Sequence, residues 1–183
     1  MGFAPAGLKV KGGIKGFPGD QLPSQTLLIR YKGPFDFTYL YRSVQRWFEQ
    51  RRFRFYETRV KDSGKRIKCD WNAERRIDEF FNEGYDIKVE MWNLTTKEVM
   101  VNGEPRKILN GMVQFSIKGT IDTDVSGFFK EGKFRQFLGR VFMNVKWREI
   151  ESQYLDVMEY RAQDIQTFIK QCLNMTTKEN AAW

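Results

Sequence analysis

The stretch 46–61, RWFEQRRFRFYETRVK, combines six cations with five aromatic side chains, Trp47, Phe48, Phe53, Phe55 and Tyr56. Just upstream, Phe37, Leu40, Tyr41, Val44, Trp47 and Phe48 recur at three- and four-residue steps. That spacing predicts a helix over 37–52 with one buried face, and Asp36 is placed to cap its first turn. Downstream, FRFYETRVK (53–61) is rich in strand formers. The stretch therefore reads as a helix-to-strand junction whose rings enter the core and whose charges are left to solvent. On a regular strand Arg54, Tyr56, Thr58 and Val60 share one face, with Phe53, Phe55, Glu57 and Arg59 on the other. Arg42 and Arg46, four residues apart, lie opposite the apolar face of the helix.

Strand patterns extend outward from this junction. TLLIRY (26–31) reads as a short buried strand ended by Lys32-Gly33-Pro34. KRIKCDWNA (65–73) alternates, with Ile67, Cys69, Trp71 and Ala73 inward and Arg66, Lys68 and Asp70 outward. YDIKVEMWN (85–93) places Tyr85, Ile87, Val89 and Met91 on one face, and MVQFSIKGTID (112–122) does the same with Val113, Phe115, Ile117 and Ile121. Between these two, Asn102-Gly103 is a strong hairpin signal. Residues 72–84 fit either a short helix or a bent continuation of strand.

From Lys133 the period becomes helical. Phe134, Leu138, Val141, Val145, Leu155, Met158, Ala162, Ile165, Ile169 and Cys172 follow one stripe expected to pack on the sheet, with Trp147, Tyr154 and Tyr160 off it. KWREIES (146–152) is less regular and marks a kink or two abutting helices. Unbroken, the helix would run roughly 60 Å at ~1.5 Å per residue. Rings on its other faces point to a second apolar contact, such as a subunit interface.

The predicted class is α+β: an antiparallel sheet of about five strands, one helix after the first strand, and a long C-terminal helix packed on the sheet. This order resembles the helix-grip fold of START and Bet v1-like proteins, which implies a curved sheet gripping a terminal helix around an apolar cavity. Those proteins carry two short helices after the first strand, where this chain shows one. The opening YKGPFDF (31–37), followed by Tyr41-Arg42 and Trp47, is similar to that of small uncharacterised archaeal proteins, a resemblance that implies no activity.

At 183 residues and 41% hydrophobic, the chain supports one core. The glycine-, proline- and lysine-rich residues 1–25 are expected to be an arm, 26–174 the domain and 175–183 a tail. No apolar run reaches the ~18–20 residues of a membrane span, and the opening residues lack the apolar core of a secretory signal. With two widely separated cysteines expected to be reduced thiols, a cytoplasmic protein without membrane contact is anticipated.

The absence of histidine excludes Ser-His-Asp and Cys-His catalysis and leaves only carboxylates for zinc. Asp122 and Asp124 could reach Mg²⁺ with a third oxygen ligand, but a turn that needs Asp explains them more simply. Glu57-Thr58-Arg59 falls short of the Glu-x-Lys of restriction-type nucleases, and no phosphate-cradling glycine loop is present. No enzyme activity, cofactor or metal is expected.

The net charge of +8 is concentrated in residues 30–68; the C-terminal two thirds are slightly acidic. Arg42, Arg46, Arg51, Arg52, Arg54, Arg59, Lys61, Lys65, Arg66 and Lys68 are accordingly the candidate nucleic-acid-binding residues, expected to hold phosphates or another acidic surface with little sequence selectivity. Two alternatives remain open: a subunit of a larger assembly that self-associates through the arm and the long helix, and a helix-grip carrier of an apolar small ligand.

Overall fold

A computed structural model describes residues 21–64, 66–101 and 104–175. Most of the arm, the Asn102-Gly103 hairpin signal and nearly all of the tail lie outside the described residues.

The elements follow in the order β1 (Gln21–Pro23), β2 (Leu27–Phe35), α1 (Phe37–Gln50), β3 (Arg54–Asp62), β4 (Arg66–Arg76), β5 (Phe81–Val101), β6 (Glu104–Thr123), α2 (Lys133–Ile150), a π-helical turn (Glu151–Leu155) and α3 (Asp156–Cys172). The class is α+β, as the periodicities predict. All pairings are antiparallel, and β6 through β3 form a meander in the order β6-β5-β4-β3. Both β1 and β2 pair with the free side of β6, so together they make one interrupted edge strand.

The sheet thus takes up residues 21–23, which sequence pattern assigns to the arm. Ser24 joins it through two bonds to Gly119: its hydroxyl accepts from the Gly119 N–H at 2.8 Å, and its own N–H donates to the Gly119 carbonyl at 2.8 Å. Lys32-Gly33-Pro34, expected to end the first strand, stays within β2, where Gly33 pairs with Gly111 and Pro34 with Asn110. An edge strand has one unpaired side, so the missing proline N–H costs nothing there. Residues 72–84 are strand and hairpin: β4 runs to Arg76, and the Asp78 carboxylate accepts from the N–H groups of Phe80 and Phe81 at 2.7 Å each.

One face of the sheet carries the core. Tyr85, Ile87, Val89 and Met91 of β5, Val113, Phe115, Ile117 and Ile121 of β6, and Cys69, Trp71 and Ala73 of β4 are all buried, in the alternation the sequence predicts. Helix α1 lies on them with Leu40, Val44, Trp47 and Phe48, its start fixed by Asp36, whose carboxylate accepts from the Tyr39 N–H at 2.9 Å. Phe48 stacks on Phe55 at 5.7 Å and meets Phe53 and Tyr85 edge-on or tilted, so the junction rings fill the space between helix and sheet. Fully burying a ring of this kind contributes ~2–3 kcal/mol. Helix α3 adds Met158, Ala162, Ile165 and Ile169. Met158 rests where Gly119 leaves room: a Cβ there would come within 2.9 Å of its thioether.

The long C-terminal helix carries a correction. Leu155, Met158, Ala162, Ile165 and Ile169 face the core, but Phe134, Leu138, Val141 and Val145 are exposed, and the domain is contacted instead by Met143, Ile150 and Trp147. The cause is the π-helical turn at 151–155. A π turn inserts one residue into the α repeat. An uninterrupted helix would carry the α3 stripe back through 151, 148, 144, 141, 137 and 134; one extra residue turns those positions away by about 100°, one α-helical step.

Inside the core, Glu83 is 1% exposed and bonds to three side chains. Arg75 of β4 reaches its Oε2 at 2.8 Å, and Tyr85 of β5, at 2.6 Å, and Arg161 of α3 both donate to its Oε1. The Tyr85 hydroxyl also lies 3.1 Å from the Met158 carbonyl. Both guanidinium groups sit over the Phe53 ring, at 4.7 and 5.7 Å. Burial, then Glu83, pushes the Tyr85 phenol well above its ordinary value; Glu83 keeps Arg161 charged against the burial that opposes it. Among the described residues no helix is long and apolar enough to cross a membrane.

Glu83 and Cys69 make this interior testable by stability measurements. Glu83→Ala leaves two inward guanidinium groups without their acid and is expected to cost about 3 kcal/mol in urea unfolding; a loss below 1 kcal/mol would show that the cluster is dispensable. Burial, then Glu57 and Asp70, pushes the Cys69 thiol up to about 11 from an ordinary 9.0. A raised folded-state pKa gives stability that is complete below the unfolded value and lost as pH rises through the folded one. Stability should therefore fall between pH 9 and 11, with a shallower slope in Cys69→Ala, as read by urea unfolding across that range.

Candidate nucleic-acid interface

The side of the sheet turned away from both helices is where half of the ten predicted cations meet. Pleating sends alternate residues to that side, and the strand register fixes the rows. Across one row stand Arg66 of β4, Trp92 of β5, Met112 of β6 and Lys32 of β2. The next holds Lys61, Lys68, Glu90, Gln114 and Arg30, and the third Arg59, Asp70, Lys88, Ser116 and Leu28. Toward the other end come Tyr56 with Asn72, Asp86 and Lys118, then Arg54 with Glu74, then Arg76 with Asn82.

Arg59 reaches this face because of a β-bulge between Glu57 and Arg59. Strict alternation places Arg59 with Phe53 and Phe55, and Val60 with Arg54. The extra residue at the bulge reverses both, so Arg54, Tyr56, Arg59 and Lys61 line up on the outer side and Val60 shares the side of Cys69. β3 is an edge strand, and charge on an edge discourages pairing with other chains. That role accounts for cations on β3, and on β2 at the opposite edge, but not for those on β4 and β5.

The two ends of the face differ. At one, the half-buried Trp92 indole donates to the Met112 sulfur at 3.0 Å, and the Arg66 guanidinium lies 5.8 Å over its ring. A shallow recess of about 210 Å³ opens here between Trp92, Met112, Val113, Tyr31, Arg30 and Lys32. Arg30 is oriented by its bond to Gln114 at 2.9 Å. Glu90 is the local acid: Lys68 at 2.9 Å and Arg66 both pair with it. The Lys68 hydrogen bond holds its carboxyl below the usual range, with burial opposing and Arg66 adding to the effect. At the other end Arg52, Arg54, Arg75 and Arg76 line an open groove of about 730 Å³ with Glu74, Ile77, Asn82 and Val125. Arg66 and Arg76 are ten residues apart on β4, so the ends are separated by roughly 33 Å at ~3.3 Å per residue.

The ten candidate residues do not form one patch. Arg54, Arg59, Lys61, Arg66 and Lys68 share the outer sheet face, and Arg52 adjoins it at the groove. Arg42 and Arg46 are exposed on the side of α1 opposite Leu40, Val44, Trp47 and Phe48, and so point away from the sheet. Arg51 is engaged within the protein: it lies 3.8 Å over the Trp47 ring and donates to the Trp47 carbonyl at 3.2 Å. Helix α1 ends at Gln50, so Arg51 and Arg52 fall in the turn that follows it, where Arg52 takes φ 63°. Lys65 lies outside the described residues. Among the described residues Arg42, Arg46, Arg52, Arg54, Arg59 and Lys61 form no ion pair.

Trp92, Arg30, Lys32 and Arg76 were not singled out from sequence. The usable signal for Trp92 was its parity: it is the aromatic on the polar side of a strand whose odd positions make the core. Asp122 and Asp124 do not converge. Asp122 is on the outer face opposite Asn82, while Asp124 is buried and accepts from the Phe129 N–H at 3.0 Å, holding the turn before α2. Among the described residues no group of three acidic, cysteine or histidine side chains is placed to hold a metal ion. Compared with known proteins, the chain matches no family model, no curated protein and no solved structure.

Proposed function

We propose that the protein is a non-enzymatic nucleic-acid-binding protein that holds phosphates on the outer face of its sheet and offers Trp92 to an unpaired base. The phosphate contacts are assigned to Arg54, Arg59, Lys61, Arg66 and Lys68, extended by Arg30 and Lys32 beside Trp92 and by Arg52 and Arg76 at the groove. The observation that carries this reading is a half-buried tryptophan bracketed by Arg66, Arg30 and Lys32, on a face whose β3 cations form no ion pair among the described residues. Base stacking on an aromatic platform inside a basic groove is how single strands are held without sequence readout. Arginines spread over a sheet face, with no helix presented to a groove, read charge and shape more than base identity. A carrier of an apolar ligand is the weaker reading, because Trp71, Tyr85, Phe48 and Phe115 occupy the space between sheet and helices.

Fluorescence anisotropy with labelled single- and double-stranded oligonucleotides tests the proposal. Affinity should fall linearly on a log-log plot against salt. On a single strand, Arg54→Ala/Arg59→Ala/Lys61→Ala should flatten that slope by ~0.7 for each phosphate left unneutralised. Arg42→Ala/Arg46→Ala, on the opposite side of the molecule, should change little. Trp92→Ala should weaken single-strand binding by ~1–3 kcal/mol and spare duplex binding. No binding to either form at ~50 mM salt would refute the reading, since the electrostatic term is strongest there.

A further inference from the structure

The outward stripe of α2 has no role in the core or on the basic face. Phe134, Phe137 and Val145 are 72%, 60% and 75% exposed, and Leu138, Val141 and Phe142 also stand partly in solvent. Phe128, 55% exposed, continues the patch under the Arg135 guanidinium, 5.0 Å from its ring. Phe134, Leu138, Val141 and Val145 are separated by four, three and four residues, the seam spacing of paired helices, with Phe137 and Phe142 flanking it. The helix meets its own domain on the other side, through Met143, Trp147 and Ile150. With aromatic side chains burying ~150–250 Å² each, the patch offers on the order of 600 Å² per copy. A stable interface uses ~800 Å² a side, and exposed apolar patches beyond a few hundred Å² mark contact sites.

We propose that two copies of this chain associate through antiparallel α2 helices, about a two-fold axis passing between Gly139 and Arg140. In such an interface residue i meets j and j meets i. Centred there, Phe134 meets Val145, Phe137 meets Phe142 and Leu138 meets Val141 of the second copy. Any stripe of this spacing matches itself; the charges at its ends need not. Here Glu131, just ahead of the helix and 3.6 Å from its own Arg135, comes level with Arg148 of the second copy, and Lys130 with Glu149, which its own Lys146 holds at 2.6 Å, so opposite charges meet at both ends, while Arg135 comes level with Asn144. Lys133 facing Lys146 is the one unfavourable match. The self-matching of the end charges favours a second copy over a lipid surface, which would use the cations of this segment, Lys130, Lys133, Arg135, Arg140, Lys146 and Arg148, but has no use for Glu131 or Glu149. The inference is independent of the nucleic-acid reading, since the stripe and the basic sheet face share no residue.

Sedimentation equilibrium over a dilution series tests it on the full chain. The expected result is a monomer–dimer equilibrium that Val145→Glu or Phe137→Glu abolishes with unchanged far-UV circular dichroism; both positions are exposed, so folding is not at stake. Glu131→Arg and Arg148→Glu should each raise the dimer Kd at least tenfold, and the double variant should restore it. A wild-type monomer throughout the series overturns the proposal, as does a dimer indifferent to Phe137→Glu. A monomer that floats with phosphatidylserine-containing vesicles, and stops floating in Val145→Glu, overturns it in favour of a membrane surface.

Discussion

Among the described residues, the cluster around Glu83 joins more elements than any other set of side-chain hydrogen bonds and ion pairs. A carboxylate this buried persists only if its charge is met on every side. Arg75 brings β4, Tyr85 brings β5, and Arg161 brings α3. Arg75 also lies 3.4 Å from the Arg51 carbonyl at the end of α1, and both guanidinium groups cover Phe53 at the start of β3. The helix-to-strand junction, the meander and the final helix are therefore held at one point. An aromatic core alone fixes volume but tolerates sliding; a buried ion pair has one acceptable geometry. With α3 anchored there and Met158 seated over Gly119, the direction in which the rest of the C-terminal helix leaves the sheet is set.

What that direction means for α2 depends on the π-helical turn. Helix α3 must present Leu155, Met158, Ala162, Ile165 and Ile169 to the core. Without the inserted residue, α2 would present its richest apolar stripe on the same side, beyond the elements that can cover it. With the insertion, the shorter set of Met143, Trp147 and Ile150 faces the domain, and the stripe faces away. Phe142, between the two sides, packs against Phe80 and Phe129 at 5.3 and 5.9 Å and keeps the helix tied to the hairpin turn below it.

Fold class and core were legible because the strands obey simple alternation. Every inward residue assigned on 65–73, 85–93 and 112–122 lies on the core face of the sheet, as does the apolar face assigned to α1. The misplacements occur where the backbone departs from an ideal repeat. The bulge at Glu57–Arg59 exchanges the faces of Arg59 and Val60, and the π-helical turn exchanges the faces of α2. Both are one-residue insertions, and periodicity reads such an insertion as continuation. Lys32-Gly33-Pro34 misled for another reason: proline is a strand breaker only where its N–H is needed, and edge position is a tertiary fact. The candidate interface was half legible. Local clustering of arginine located β3 and β4, but sequence proximity joined Arg42 and Arg46 to a face they do not share, and missed Arg30 and Lys32, which β6 brings to Trp92 from a distant part of the chain.

The basic sheet face and the α2 stripe have one property in common: neither is required by the core. An outer sheet face needs only polarity to stay solvated, and alternating acids and bases would supply it with less mutual repulsion. The middle rows are built that way, with Asp70 beside Arg59 and Lys88, and Asp86 beside Lys118. The end rows are not: Lys61, Lys68, Arg66, Arg30 and Lys32 surround a single Glu90, and at the groove Arg52, Arg54 and Arg76 surround a single Glu74, while Arg75 beside them is held by Glu83. Repulsion within such groups lowers the stability of the isolated chain and is relieved when an anion binds. Under the proposed reading, like charge at two ends of one strand, with a tryptophan at one of them, would suit an extended polyanion better than a compact one, because a flexible strand could span both ends while still turning a base toward the ring.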